Sequence, residues 1–235
     1  MKRIVRLALM LLAILSPAVH AADGAPVIVA RWSNAEPPLD PASSAWLKLA
    51  PVPVMLYPQL SVIPAAAAEG AATLNVRALY SAKTLALHLE WAAPKPAQNR
   101  AIGEFPDAAA VQWPLRFGPD ADLPYVGMGH PGAPVALWFW RADGSVETLA
   151  AQGFGTLTAQ QPDGVKARGM WKDGKWRVVF ARSLRPLPGD ERVALEPAKQ
   201  GVVPVALATW HGEAQERNGR KRLSAWHALR FEKGR

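Results

Sequence analysis

Apolar and polar residues alternate over much of this chain. Leu74, Val76, Ala78 and Tyr80 alternate with Asn75, Arg77 and Leu79, and Leu85, Leu87, Leu89 and Trp91 alternate with Ala86, His88 and Glu90. A period of two is the mark of a strand with one buried face. The spacing therefore predicts two half-buried strands joined by a hairpin loop at residues 81–84, with His88 facing solvent. Trp176, Val178 and Phe180 line one face of a further strand. It follows the Asp173-Gly174 dipeptide, a strong signal for a tight hairpin from Trp171 to Trp176. Residues 27–32, 107–114, 135–140 and 202–210 read as strands, the third as a buried one. Pro114 ends the second of these, and Pro204 interrupts the fourth. A last strand, 223–231, puts Leu223, Ala225, His227, Leu229 and Phe231 on one face.

Residues 46–56 read as an extended segment broken by prolines, which confines it to a sheet edge. Residues 34–44, 64–70, 94–104, 152–165 and 211–220 read as loops, and residues 142–145 as a turn. Helical periodicity is weak, and the 22 prolines and 18 glycines are spread along the chain. The pattern predicts an all-β fold, a single antiparallel β-sandwich with long loops and little helix.

The first residues bear on the compartment. Lys2, Arg3 and Arg6 precede an apolar run over 7–15, a Ser16-Pro17 break and Val19-His20-Ala21. This is the layout of a cleavable signal peptide over residues 1–21. The run is well short of the roughly 18 residues needed for a membrane span. The expectation is a periplasmic domain over 22–235, without a membrane span. Losing the three leader cations takes the formal charge from +8 to +5. The remaining basic residues are scattered, apart from Arg217, Arg220, Lys221 and Arg222, and an exported protein points away from nucleic acid. Cysteine is absent, which excludes disulfides, iron–sulfur clusters and covalently attached haem.

Gly127-Met128-Gly129 is the most suggestive local chemistry. Glycines let backbone approach a flat ligand, and methionine offers a soft thioether. Met128 reads either as a gap-filling core residue beside a turn or as an axial ligand to haem iron. No triad, paired carboxylate or metal-binding histidine cluster points to catalysis.

Five segments together resemble the haem b (gamma) subunit of the type II dimethyl sulfoxide reductase group. That group includes ethylbenzene dehydrogenase, dimethyl sulfide dehydrogenase, selenate reductase and chlorate reductase. The segments are residues 40–59, Phe105-Pro106-Asp107-Ala108-Ala109-Ala110-Val111-Gln112-Trp113-Pro114, Gly127-Met128-Gly129 with residues 134–140, residues 174–184, and residues 206–212 with 216–226. They follow the family's order over residues 24–232.

The resemblance implies a sandwich carrying non-covalent haem b, with Met128 and Lys221 as axial ligands and no open iron position for substrate. It implies a non-catalytic subunit that relays single electrons. Its partners would be a molybdopterin catalytic subunit, an iron–sulfur subunit and a soluble c-type cytochrome. Trp113 and Trp138 are candidate porphyrin contacts, although tryptophans in a sandwich mostly serve its core. His130 and His211 remain alternative ligands, since histidine is the commoner choice for iron. Two departures stand out. Trp91-Ala92-Ala93 lacks the acidic residues that often follow this tryptophan, and His211 stands where an Asp is usual. A competing reading is a haem-free periplasmic module binding carbohydrate or another small ligand, since one fold supports both roles.

Overall fold

The computed structural model describes residues 24–59, 70–98, 101–118, 121–188 and 193–234. Residues 1–21, expected to be a signal peptide, and almost all of the expected 64–70 loop lie outside the described residues. Among the described residues thirteen strands and two four-residue α-helices follow in order: β1 (Ile28–Trp32), α1 (Ser44–Leu47), β2 (Val52–Pro58), β3 (Ala72–Tyr80), β4 (Thr84–Ala92), β5 (Ala108–Pro114), β6 (Val135–Arg141), β7 (Val146–Ala151), β8 (Thr158–Ala159), β9 (Lys166–Lys172), β10 (Lys175–Ser183), α2 (Pro197–Gln200), β11 (Val202–Trp210), β12 (Arg222–Leu223) and β13 (His227–Phe231). Among the described residues no helix is long and apolar enough to cross a membrane.

The strands form one hydrogen-bonded sheet folded into two layers. One layer runs β9-β10-β4-β3 and continues through β1 to β13, and the other runs β8-β7-β6-β5-β11. β11 belongs to both, since Val202 to Val205 pair with β13 and Ala206 to Trp210 pair with β5. Leu74, Leu87, Val178 and Phe180 from the first layer meet Val111, Trp113, Trp138 and Trp140 from the second in one core. The Trp140 and Trp176 rings, 5.1 Å apart, join the layers directly.

The sandwich, the β3–β4 hairpin and the hairpin through Asp173 and Gly174 match the sequence expectation. Both turn residues adopt positive φ, 54° and 72°, as a two-residue β-turn of this kind requires. Other details differ. β1 pairs parallel to both β13 and β3, so the sandwich is not wholly antiparallel. Pro204 does not break β11, where it pairs opposite Ala228. β2 does have a single strand partner around Pro53 and gains β12 only at Tyr57 and Pro58. The short strand β8 lies inside the expected 152–165 loop. The last expected strand is two: β12 joins β2 and β11, while β13 pairs with β11 and β1.

His88 is fully buried rather than exposed. Residues 36–47 fold back over that face. The Trp46 ring lies 5.4 Å from His88, and His88 Nε2 is 3.2 Å from the Pro41 carbonyl oxygen. Burial, with Arg77 adding like charge, pushes the imidazole down to about 4.

Candidate functional site

Strand parity divides the second layer into two faces. Ala109, Val111 and Trp113 of β5, Trp138 and Trp140 of β6, and Val203, Val205 and Leu207 of β11 face the core between the layers. Their neighbours, Ala108, Ala110 and Gln112, then Leu137, Phe139 and Arg141, then Ala206, Ala208 and Trp210, face the other way. Alanines on that outer face leave room. A cavity of about 650 Å³ lies over it, with Leu137, Phe139 and Trp210 among its walls. The loops around residues 101–108, 154–157 and 216–221 close its sides.

Met128 enters from a loop fixed by four neighbours. Gln112 Nε2 donates to the Val126 carbonyl at 2.7 Å, and Trp226 Nε1 to the Pro124 carbonyl at 2.8 Å. The Tyr125 N–H donates to His130 Nδ1 at 3.2 Å. The Gly153 N–H donates to the Met128 carbonyl at 2.9 Å. Within this frame Met128 holds φ at 141°, a conformation that costs a non-glycine residue about 1–3 kcal/mol. Gly129 follows at φ 73°, and a Cβ there would lie 2.8 Å from the Ala133 carbonyl oxygen. The Met128 side chain packs with Val135, Leu137, Leu149 and Trp226.

Lys221 arrives from the opposite wall. The Gly212 N–H donates to Asp107 Oδ1 at 2.8 Å, the His211 N–H to Glu216 Oε2 at 2.8 Å, and Trp210 Nε1 to the Asn218 carbonyl at 3.0 Å. These bonds fold residues 211–220 against the sheet. The Lys221 carbonyl then accepts from the Gln59 N–H at 2.8 Å, which fixes the backbone beside the cavity. Its side chain is buried, only 4% exposed. Nζ donates to Met128 Sδ at 3.4 Å and lies 5.5 Å over the Trp210 ring. No carboxylate among the described residues pairs with it.

Burial pushes the Lys221 ammonium down to about 8. The flanking arginines add nothing to this shift, and Arg222 turns to Glu216 at 3.6 Å. Burial raises the Glu216 carboxyl above its ordinary value. Burial, and then Arg222, lower His211.

The structure thus brings Met128 and Lys221 together from 93 residues apart in sequence. It does not bring the tryptophans with them. Trp113 and Trp138 are fully buried in the interlayer core, with ring centroids 4.9 Å apart, and neither lines the cavity. They occupy the inward parity of β5 and β6. His130 is a loop brace at the surface. His211 does not line the cavity, and His227 sits buried with Nδ1 3.1 Å from the Pro26 carbonyl oxygen. The aromatic walls are instead Phe105, Phe139, Phe154 and Trp210. The alternation Leu137, Phe139, Arg141 was a sequence signal for part of that wall. Phe105 and Phe154 lie on loops that carry none.

A soft sulfur and, once deprotonated, an amine form a donor pair suited to a transition metal. Two donors leave most of a metal's coordination sphere unfilled. Among the described residues no group of three or more His, Cys, Asp or Glu could complete it. A metal already held in a flat macrocycle fits this apolar cavity better than a bare ion. Bonds from a metal to sulfur and nitrogen are each about 2 Å long, so a metal taken between the two on opposite sides would require these flexible side chains to move apart.

The chain matches the family model described as ethylbenzene dehydrogenase over residues 43–164 and 156–222. It is 34% identical over 223 residues to a Haloferax mediterranei protein described as a respiratory nitrate reductase heme subunit, covering 91% of this chain and 79% of that one. It is 33% identical over 198 residues to the chlorate reductase subunit gamma of Ideonella dechloratans, covering 81% and 79%. It is 30% identical over 145 residues to the dimethylsulfide dehydrogenase subunit gamma of Rhodovulum sulfidophilum, covering 59% and 52%. Among solved structures it resembles a family 9 carbohydrate binding module from Caldicellulosiruptor kristjanssonii, with a TM-score of 0.50, 10% identity, and 89% and 95% of the two chains covered. That likeness shows the sandwich fold alone.

Proposed function

This chain belongs to the ethylbenzene dehydrogenase family, and on that premise we propose that it is a haem-binding, non-catalytic electron-transfer subunit of a multi-subunit oxidoreductase. The observation that carries this reading is the buried Lys221 amine meeting the Met128 sulfur beside an apolar cavity. A lysine without a carboxylate partner is costly in such a place unless its neutral form has work to do. Relatives whose names describe heme or gamma subunits of nitrate, chlorate and dimethylsulfide enzymes support it.

The finer reading is haem b held without covalent bonds, since the chain has no cysteine to form a thioether link. When bound, haem supplies a one-electron ferric–ferrous couple. Lys221 ligates through its deprotonated amine, which its burial favours. Met128 supplies a thioether, which favours the ferrous state and raises the potential. With both side chains holding the haem, no position would be left for substrate, and the group would serve to pass single electrons. Leu137, Phe139 and Trp210 line the cavity and would keep water from the bound group. Catalysis then belongs to a molybdopterin partner, and electrons pass through an iron–sulfur partner and a soluble c-type cytochrome. The basic start, apolar run and Val19-His20-Ala21 within residues 1–21 support a periplasmic setting for this traffic.

The test uses protein purified from the periplasm. Its haem is expected to extract fully into acidified acetone and to give b-type spectra. Once reduced, the protein is expected to reduce a soluble c-type cytochrome in rapid mixing. Haem that stays with the polypeptide, or no electron transfer on mixing, contradicts this reading.

A further inference from the structure

The cavity has two chemically distinct ends. Along β6, Leu137, Phe139 and Arg141 share the cavity face, so Arg141 lies about 13 Å along the strand from Leu137. At the Leu137 end the neighbour across the ladder is Leu149, and Phe154 and Leu157 complete an uncharged wall. At the Arg141 end the ladder runs through Ala108 to Trp210. There Arg141 and Arg217 both line the cavity. The Arg141 guanidinium sits 4.4 Å from the centroid of the Phe139 ring, and that of Arg217 sits 4.4 Å from the centroid of the Phe105 ring. Both rings are themselves cavity walls.

A guanidinium stacked on a ring is held in plane, with its N–H edge free to take a carboxylate. Arg141 commits Nη1 to Glu147 at 2.9 Å and to Ser145 Oγ at 3.3 Å. Arg217 commits Nη1 to the Gln215 carbonyl at 3.4 Å. Each guanidinium has five donors, so both retain capacity. Two carboxylates also border this end. Glu216 is turned onto the His211 N–H and Arg222, and Glu104 is exposed.

We propose that Arg141 and Arg217 form a carboxylate-binding end of the cavity that takes the two propionates of haem and fixes the orientation of the macrocycle. This rests on the haem reading above. The apolar edge of the ring then lies against Leu137, Leu149, Phe154 and Leu157. Neither arginine touches Met128 or Lys221, so orientation and axial ligation are separate functions of the cavity.

The test titrates cofactor-free protein with hemin and with hemin dimethyl ester, whose carboxylates are masked. Wild type is expected to bind hemin about tenfold or more tightly than the ester, as charge-assisted hydrogen bonds imply. Arg141→Gln with Arg217→Gln is expected to remove that preference while leaving ester affinity and the low-spin spectrum unchanged. Equal wild-type affinity for hemin and ester overturns the proposal, and this comparison needs no variant to fold. A double variant that binds ester normally and still prefers hemin overturns the assignment to these two residues. Wild type that takes up neither ligand removes the haem reading itself, and this proposal with it.

Discussion

Lys221 shows most plainly that function rather than stability shaped the cavity. Its folded pKa, about 8, lies below the 10.5 of a free lysine, so the folded state releases its proton first. The stability cost is complete below pH 8 and fades as pH rises from 8 toward 10.5. Lys221→Met removes the buried cation at similar volume and is expected to stabilise the cofactor-free protein by about 2–3 kcal/mol at pH 7, read by urea unfolding. His88 titrates in a different window, with its folded value about 4 against 6.5 when free. Stability is therefore expected to fall by about 3 kcal/mol as pH drops from 6.5 to 4. His88→Leu should flatten that portion of the curve. An unchanged slope in the variant would place the loss elsewhere.

β5 is the element that sets the two ligands facing each other. Asp107, just before it, holds the Lys221 side through the Gly212 N–H, and Gln112, near its end, holds the Met128 side through the Val126 carbonyl. Gln112→Leu is expected to leave the sheet intact, cost about 1–3 kcal/mol and speed haem loss, measured by thermal melts and by haem transfer to apomyoglobin. Gly212→Ala is expected to be worse, because a Cβ there would sit 1.7 Å from the Phe105 carbonyl oxygen. Elements of this kind were legible in the sequence to different degrees. The hairpins were, because alternation and the Asp173-Gly174 turn are local signals. The burial of His88 was not, since residues 36–47 cover β4 from far along the chain. The tryptophans misled for a related reason. Residue type alone favours Trp113 and Trp138 as ring contacts, whereas parity on β5 and β6 sends them inward and sends Phe139 to the cavity. The break between β12 and β13 was hidden because Leu223 and Ala225 keep the alternation going across it.

At the scale of the whole molecule, a single folded sheet buries its large residues between the layers and leaves alanines on one outer face, where the cavity sits. The resemblance paired Met128 with Lys221, while the cavity walls required three-dimensional placement of loops. Export is expected to release a chain beginning at Ala22, which mass spectrometry of the periplasmic protein reads directly. Paired iron ligation by Met128 and Lys221 is tested most directly by visible and electron paramagnetic resonance spectra of the haem-loaded protein beside Met128→Ala and Lys221→Ala. Wild type is expected to be low-spin, and each variant to turn high-spin while keeping its haem. A low-spin spectrum that survives both substitutions would contradict ligation by this pair.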